Sequence, residues 1–215
     1  MSSIKLKHSG GNSVSLNPPT SAPTSSDVAF KLPVADGSAG QVLTTDGSGN
    51  LSWVTPATTN GITMADQWRL NTTINLSSGS GDLTSNWERN DNASFSGIGS
   101  AMTESSGLFS FPVTGIYLIM VDIVFVSSGA QYQGFSIRAT QDNGSSFSNI
   151  AQSYGGSKSN SGSEYDSVCA QVIFDVTNTS NDKFKLQYEV NTSVSIDGNS
   201  NTQRSGFTVI RLGDT

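Results

Sequence analysis

Short extended runs separated by Gly, Asn and Ser recur along the whole chain, and no apolar stripe of helical period competes with them. From Gly61 onward about ten such runs follow one another at the spacing of an all-β sandwich. They fall at Thr63–Leu70, Thr72–Leu76, Ala93–Phe95, Gly107–Phe111, Gly115–Val126, Gly134–Thr140, Phe147–Ser153, Tyr165–Val176, Lys183–Ile196 and Gly206–Leu212. Charged residues are 13% of the chain against a usual ~25%, so few side chains are left for acid–base work. One His and one Cys also rule out most metal cages built on imidazole or thiolate.

The first 60 residues read as an arm. Ile4–His8 and Ser13–Asn17 alternate apolar and polar residues, and Pro18, Pro19 and Pro23 then enforce an extended linker. Val28–Pro33 reads as a short strand. Gln41–Thr45 and Leu51–Val54 flank the loop Asp46-Gly47-Ser48-Gly49-Asn50, a hairpin whose Gly and Asn tolerate positive φ. Hairpins this small are marginal in water, so their core is expected in a neighbouring copy.

Two strands of the later region carry the most information. Phe184, Leu186, Tyr188, Val190, Val194 and Ile196 alternate with polar residues, as in one half-buried strand. Gly115–Val126 is apolar on both faces, with Ile116, Leu118, Met120 and Val124 on one side and Tyr117, Ile119, Val121, Ile123 and Phe125 on the other. Such a strand needs a second apolar surface, supplied by loops of its own chain or by an adjacent subunit. We take the Tyr117, Ile119, Val121, Ile123 and Phe125 set as the candidate subunit interface.

Several functions are excluded by charge and pattern. A formal net charge of −6 with no basic stripe argues against nucleic acid as a partner. The longest apolar run contains Asp122 and falls well short of the ~20 residues that span a bilayer, so no membrane insertion is expected. Met1–Gly11 has no apolar segment of a secretory signal, so the chain is expected to start near Met1 and to be made in a cytoplasm. Cys169, with no His nearby in sequence, reads as a small core residue. The carboxylate pairs Glu88 with Asp91 and Glu164 with Asp166 sit among Asn, Ser and Gly, as solvated turn acids do, and His8 has no partner that would make it a base. No enzyme is expected.

The segment Glu104-Ser105-Ser106-Gly107-Leu108-Phe109-Ser110-Phe111-Pro112-Val113-Thr114-Gly115-Ile116-Tyr117-Leu118-Ile119, with Phe174-Asp175-Val176-Thr177 and the closing Gly206-Phe207-Thr208-Val209-Ile210-Arg211-Leu212, resembles the globular head of complement component one q. That likeness implies a ten-stranded jelly roll shared with the tumour necrosis factor superfamily, over residues 61–215. In the arm, residues 1–60, Lys5–Gly11, Phe30-Lys31-Leu32-Pro33 and Asp36–Trp53 resemble the N-terminal region of tail-fibre and appendage proteins of marine bacteriophages, especially those of cyanobacteria. This second likeness implies a homotrimer, a virion location, attachment to other virion proteins through the arm, and a host-surface role.

If the head binds a host glycan or protein, the candidate loops are Gln141–Phe147, Tyr154–Tyr165 and Asp197–Arg204, with Asn143, Tyr154, Tyr165, Asn199 and Arg204 facing the receptor. A decoration or adaptor protein without receptor binding is the alternative. Trp53, Trp68 and Trp87 are either sugar platforms or, more commonly for Trp, core and interface residues. Some heads of the family hold calcium, and Asp142, Glu164, Asp166 and Asp197 offer oxygen ligands, but no spacing assigns a site and no cofactor is expected.

Overall fold

The computed structural model describes residues 4–17, 19–24, 28–56, 61–156 and 162–215. Pro18 of the expected linker, the expected boundary after Asn60 and the middle of the Tyr154–Tyr165 loop lie outside the described residues. The chain divides into two compact units, 1–58 and 59–215. Among the described residues the regular structure is all strand, and no helix is long and apolar enough to cross a membrane.

In the first unit, β1 (Ile4–Lys7) pairs antiparallel with β2 (Ser13–Leu16), and β3 (Val42–Thr45) with β4 (Leu51–Val54). The β3–β4 loop is built by Asp46, whose carboxylate accepts from the Ser48 and Asn50 amides and from Asn50 Nδ2. Those bonds hold its pKa below the usual carboxylate value, the Asn50 side chain contributing most. Val28–Pro33 is not a strand. Only Lys31 bridges to Asn50, its amide donating to Gly49 O (2.8 Å) and its carbonyl accepting from Leu51 (2.8 Å). Gly49 (φ 84°) must be glycine, because a Cβ there would collide with the Ala29 carbonyl. Trp53 lies over Gly37 and donates Nε1–H to Ala35 O at 3.1 Å. Ile4, Leu6, Val14 and Leu16 are exposed, as are Phe30, Leu32 and Val34, so this unit has little core of its own.

The second unit comprises β5 (Ala65–Leu70), β6 (Thr72–Leu76), β7 (Gly79–Asp82), β8 (Trp87–Arg89), β9 (Thr103–Ser105), β10 (Leu108–Ser110), β11 (Gly115–Ser127), β12 (Gln133–Thr140), β13 (Ser148–Gly155), β14 (Glu164–Val176), β15 (Lys183–Val190), β16 (Val194–Asn199) and β17 (Gly206–Gly213). One antiparallel sheet runs β13-β12-β15-β10-β9, with β7 also on β15. The other runs β6-β16-β11-β17-β5-β8, with β14 along the free side of β11. The run Lys183–Ile196, read as one strand, is therefore two: Asn191-Thr192-Ser193 turns the chain, and β15 and β16 lie in different sheets. Ala93–Phe95 forms no strand. The short edge strands β7, β8 and β9 have too little apolar alternation to announce themselves in the sequence.

The two sheets enclose one core. Phe109 stacks on Phe184 (centroids 5.2 Å apart) and meets Phe207 (4.6 Å), Trp87 (5.3 Å) and Trp68 (5.5 Å) edge-on. Trp68 and Trp87 are thus core walls rather than sugar platforms. The candidate interface set is corrected by the same core: Tyr117, Ile119, Val121, Ile123 and Phe125 are all buried within their own chain. Full-length pairing sets Tyr117 opposite Phe174 and Ile119 opposite Val172, and this row faces the other sheet. The turn Phe111-Pro112-Val113-Thr114-Gly115 locks the row in place. Tyr117 donates its hydroxyl to Val113 O (2.8 Å), and Gly115 (φ 145°) leaves room for Arg211 and the Gly213 carbonyl, which a Cβ would strike.

Candidate functional site

With the odd-numbered residues of β11 turned inward, its even-numbered residues form the outer face of the larger sheet. Leu118 lies opposite Ile173 on β14 and Ile210 on β17, and Met120 lies opposite Gln171 and Thr208. Ile173 is 64% exposed, while Ile116, Leu118, Met120 and Val124 are half-buried. A shallow cavity of about 480 Å³ opens on this face, lined by Gln67, Met120, Asp122, Cys169, Gln171 and Gln203 among others.

Cys169 is exposed on this surface and is not the core residue expected from sequence. Its thiol donates to Asp122 Oδ1 at 3.4 Å. Partial burial, then the Asp122 hydrogen bond and charge, push its pKa up, so the thiolate needed for nucleophilic chemistry is scarce at neutral pH.

The five candidate receptor residues are not brought together. Asn143 (φ 59°) sits in the β12–β13 turn, where its Oδ1 accepts from Lys183 Nζ at 2.5 Å and its amide donates to Asn181 O. Beside it, Asp142 accepts from the Thr140 and Ser146 hydroxyls and the Ser146 amide, which hold its carboxyl at about 2, the Ser146 hydroxyl acting most strongly. Asn199 caps its own turn by accepting from the Asn201 and Thr202 amides. Arg204 donates to both Asp197 oxygens at 3.1 and 2.9 Å. These three are committed to local structure.

Tyr154 and Tyr165 lie at the opposite end of β12 from Asn143, in different sheets. Tyr165 is 71% exposed on β14, opposite Val126. Tyr154, on β13 rather than in a loop, lies across Gly134 of β12 and donates its hydroxyl to Glu189 Oε2 of β15 at 2.6 Å. That hydrogen bond, ahead of burial, raises the phenol to about 12. Tyr132 stands nearly perpendicular to it, centroids 6.2 Å apart at 78°. Sequence reading missed Tyr132 and Glu189. The only signal was Gly134, a glycine inside an apolar strand where another group approaches closely.

The Glu88 and Asp91 pair is held by an arginine. Glu88 and Asp91 both receive Arg69, which is fully buried and also donates to Asn90 Oδ1 (3.1 Å) and to the Ser200 carbonyl. Asp166 accepts from Gln133 Nε2 at 3.1 Å. Asp142, Asp197 and the Glu164 and Asp166 pair of β14 lie on different elements, and among the described residues no three His, Cys, Asp or Glu side chains converge on a metal-sized site.

Two face-packed antiparallel sheets with this strand order make the second unit a β jelly roll of the tumour-necrosis-factor type. The chain superposes on Eiger TNF from S. frugiperda with a TM-score of 0.56 at 16% identity, covering 72% of this chain and 96% of that one. It superposes on murine APRIL with a TM-score of 0.50 at 12% identity, covering 69% and 99%. Likeness at this identity defines the fold alone, and the fold agrees with the one expected from the Phe111–Tyr117 turn and the terminal strand. No protein-family model and no curated protein matches the chain.

Proposed function

We propose that this chain is a homotrimeric bacteriophage virion protein, a tail fibre or similar appendage, whose arm attaches to other virion proteins and whose head recognises the host cell surface. The observation that carries the assembly is the apolar cluster of Leu118, Met120, Ile173 and Ile210 on the outer face of β11, β14 and β17, with Tyr117, Ile119, Val121, Ile123 and Phe125 already used by the core. A sheet face of this kind is stabilised by burial against another copy, and the exposed Phe30, Leu32 and Val34 of the arm need the same cover. The virion and host-surface parts rest on the arm's likeness to tail-fibre proteins. Binding rather than catalysis is supported by Glu88, Asp91, Asp142 and Asp197, which are held in Arg69, Arg204 and turn contacts.

Light scattering on the full chain and on residues 61–215 tests the assembly. We expect a mass near three chains for both, and a monodisperse folded monomer overturns the trimer. Adsorption of the fluorescently labelled protein to a panel of cultured marine cyanobacteria tests the host-surface role. A trimer that adheres to none of them and does not block phage adsorption at saturating dose leaves the decoration or adaptor function in its place.

A further inference from the structure

We infer that Tyr154, Tyr132 and Glu189 form a binding subsite for a neutral pyranose sugar on the outer face of the smaller sheet. The inference rests on the receptor-binding reading above and names the ligand class it would take.

Gly134 is the key to the geometry. It lies directly across the ladder from Tyr154 on one side and Glu189 on the other. Any Cβ at this position would strike the Ser153 carbonyl and the Tyr154 ring, so its absence lets the ring pass close over the strand and reach Glu189. The ring is thereby fixed at both ends while remaining 43% exposed. Tyr132, 41% exposed, forms a wall against this floor. Its backbone is fixed by Asn191, whose Oδ1 accepts from the Tyr132 amide (3.1 Å) and whose amide donates to Tyr132 O (3.3 Å).

An aromatic face carries negative electrostatic potential, which suits the polarised C–H groups on the flat side of a pyranose. A floor and a perpendicular wall fit a ring with one stacked face and one edge. The hydroxyls around that edge need acceptors and donors close by. Glu189 spends Oε2 on Tyr154, while Oε1 has no protein partner among the described residues, and Ser80 pairs with Glu189 on the next strand. The carboxylate also sets the charge preference, because a uronic or sulfated sugar would meet a like charge at this position. Rigid aromatic groups lose little freedom on binding, and repetition in a trimer would raise a weak single-site affinity through avidity.

Saturation-transfer NMR on the full chain with methyl β-glucopyranoside, methyl α-mannopyranoside and methyl β-galactopyranoside tests the site, together with an array of neutral oligosaccharides. At least one neutral glycoside is expected to bind, and methyl glucuronide to bind at least tenfold more weakly than methyl glucoside. Tyr154→Ala is expected to weaken binding at least tenfold and Tyr132→Ala by a few-fold. Tyr154→Phe keeps the floor but not its tether and should lose only a few-fold. No response from any neutral glycoside, or undiminished binding by folded Tyr154→Ala and Tyr132→Ala, overturns the inference. Adsorption to cells separates it from the reading beneath it. Wild type and Tyr154→Ala adhering equally, with no glycoside response from either, removes this site and leaves receptor binding standing. Glycoside binding through Tyr154 by a protein that adheres to no cell removes the receptor reading and leaves the site.

Discussion

Arg69 shows how much of this head depends on single polar residues. Its guanidinium is fully buried at the junction of β5, β8 and the turn after β16, and it holds Glu88, Asn90, Asp91 and the Ser200 carbonyl together. Burying an arginine is tolerated only when each donor finds an acceptor, and removing one partner strands the other. Arg69→Met should therefore destabilise the head by ~3 kcal/mol in urea unfolding, since Glu88 keeps only partial access to water. Asp142 makes a different prediction. Its folded pKa of about 2 lies below the ordinary 3.8, so its contribution to stability is present above pH 4 and is lost as pH falls toward 2. Thermal unfolding of Asp142→Ala should thus show a lower melting temperature than wild type at pH 6, with the gap closing by pH 2. A gap independent of pH would assign the loss to the turn's shape rather than to its charge.

β11 sets the behaviour of the sheets because its two faces look alike in sequence and do opposite things. The inner row fills the core between the sheets, and the outer row, with Ile173 of β14, faces away from it. Substitutions one strand position apart should accordingly fail in different ways. Ile123→Asp places a carboxylate in an apolar interior at a penalty of several kcal/mol, a large part of the ~5–15 kcal/mol that holds a domain folded. It should yield no folded protein by circular dichroism. Leu118→Arg should leave the circular dichroism unchanged and lower the mass by light scattering to one chain. Both variants folding as trimers would show that the outer face is not the assembly surface. Alternation along β11 was legible from sequence, but which row turned inward was not. That choice was made by the β14 register and by the Tyr117 hydroxyl reaching back to Val113.

At the scale of the whole molecule, assembly and stability are linked. A surface buried only in the oligomer adds stability that grows with the logarithm of protein concentration, so the melting temperature of the full chain should rise as the protein is concentrated from 1 to 100 μM, and that dependence should vanish in Leu118→Arg. A melting temperature constant over this range in wild type would show that the folded unit is complete as a single chain. The all-β class, the arm hairpin around Asp46–Asn50 and the Phe111–Tyr117 turn can be read from neighbouring residues alone. Each of these is a local pattern, since turn residues, period-2 alternation and the need for φ > 0 at a glycine act over a few neighbouring positions. Packing of distant strands settles instead that Lys183–Ile196 crosses between sheets, that Cys169 faces outward beside Asp122, and that Tyr154 lies over Gly134 to meet Glu189. Those facts depend on strand register between residues far apart in the chain, as far as the 120 positions from Asn75 to Ser195, and register is fixed by which side chains fill a shared core, a condition no single stretch of sequence contains.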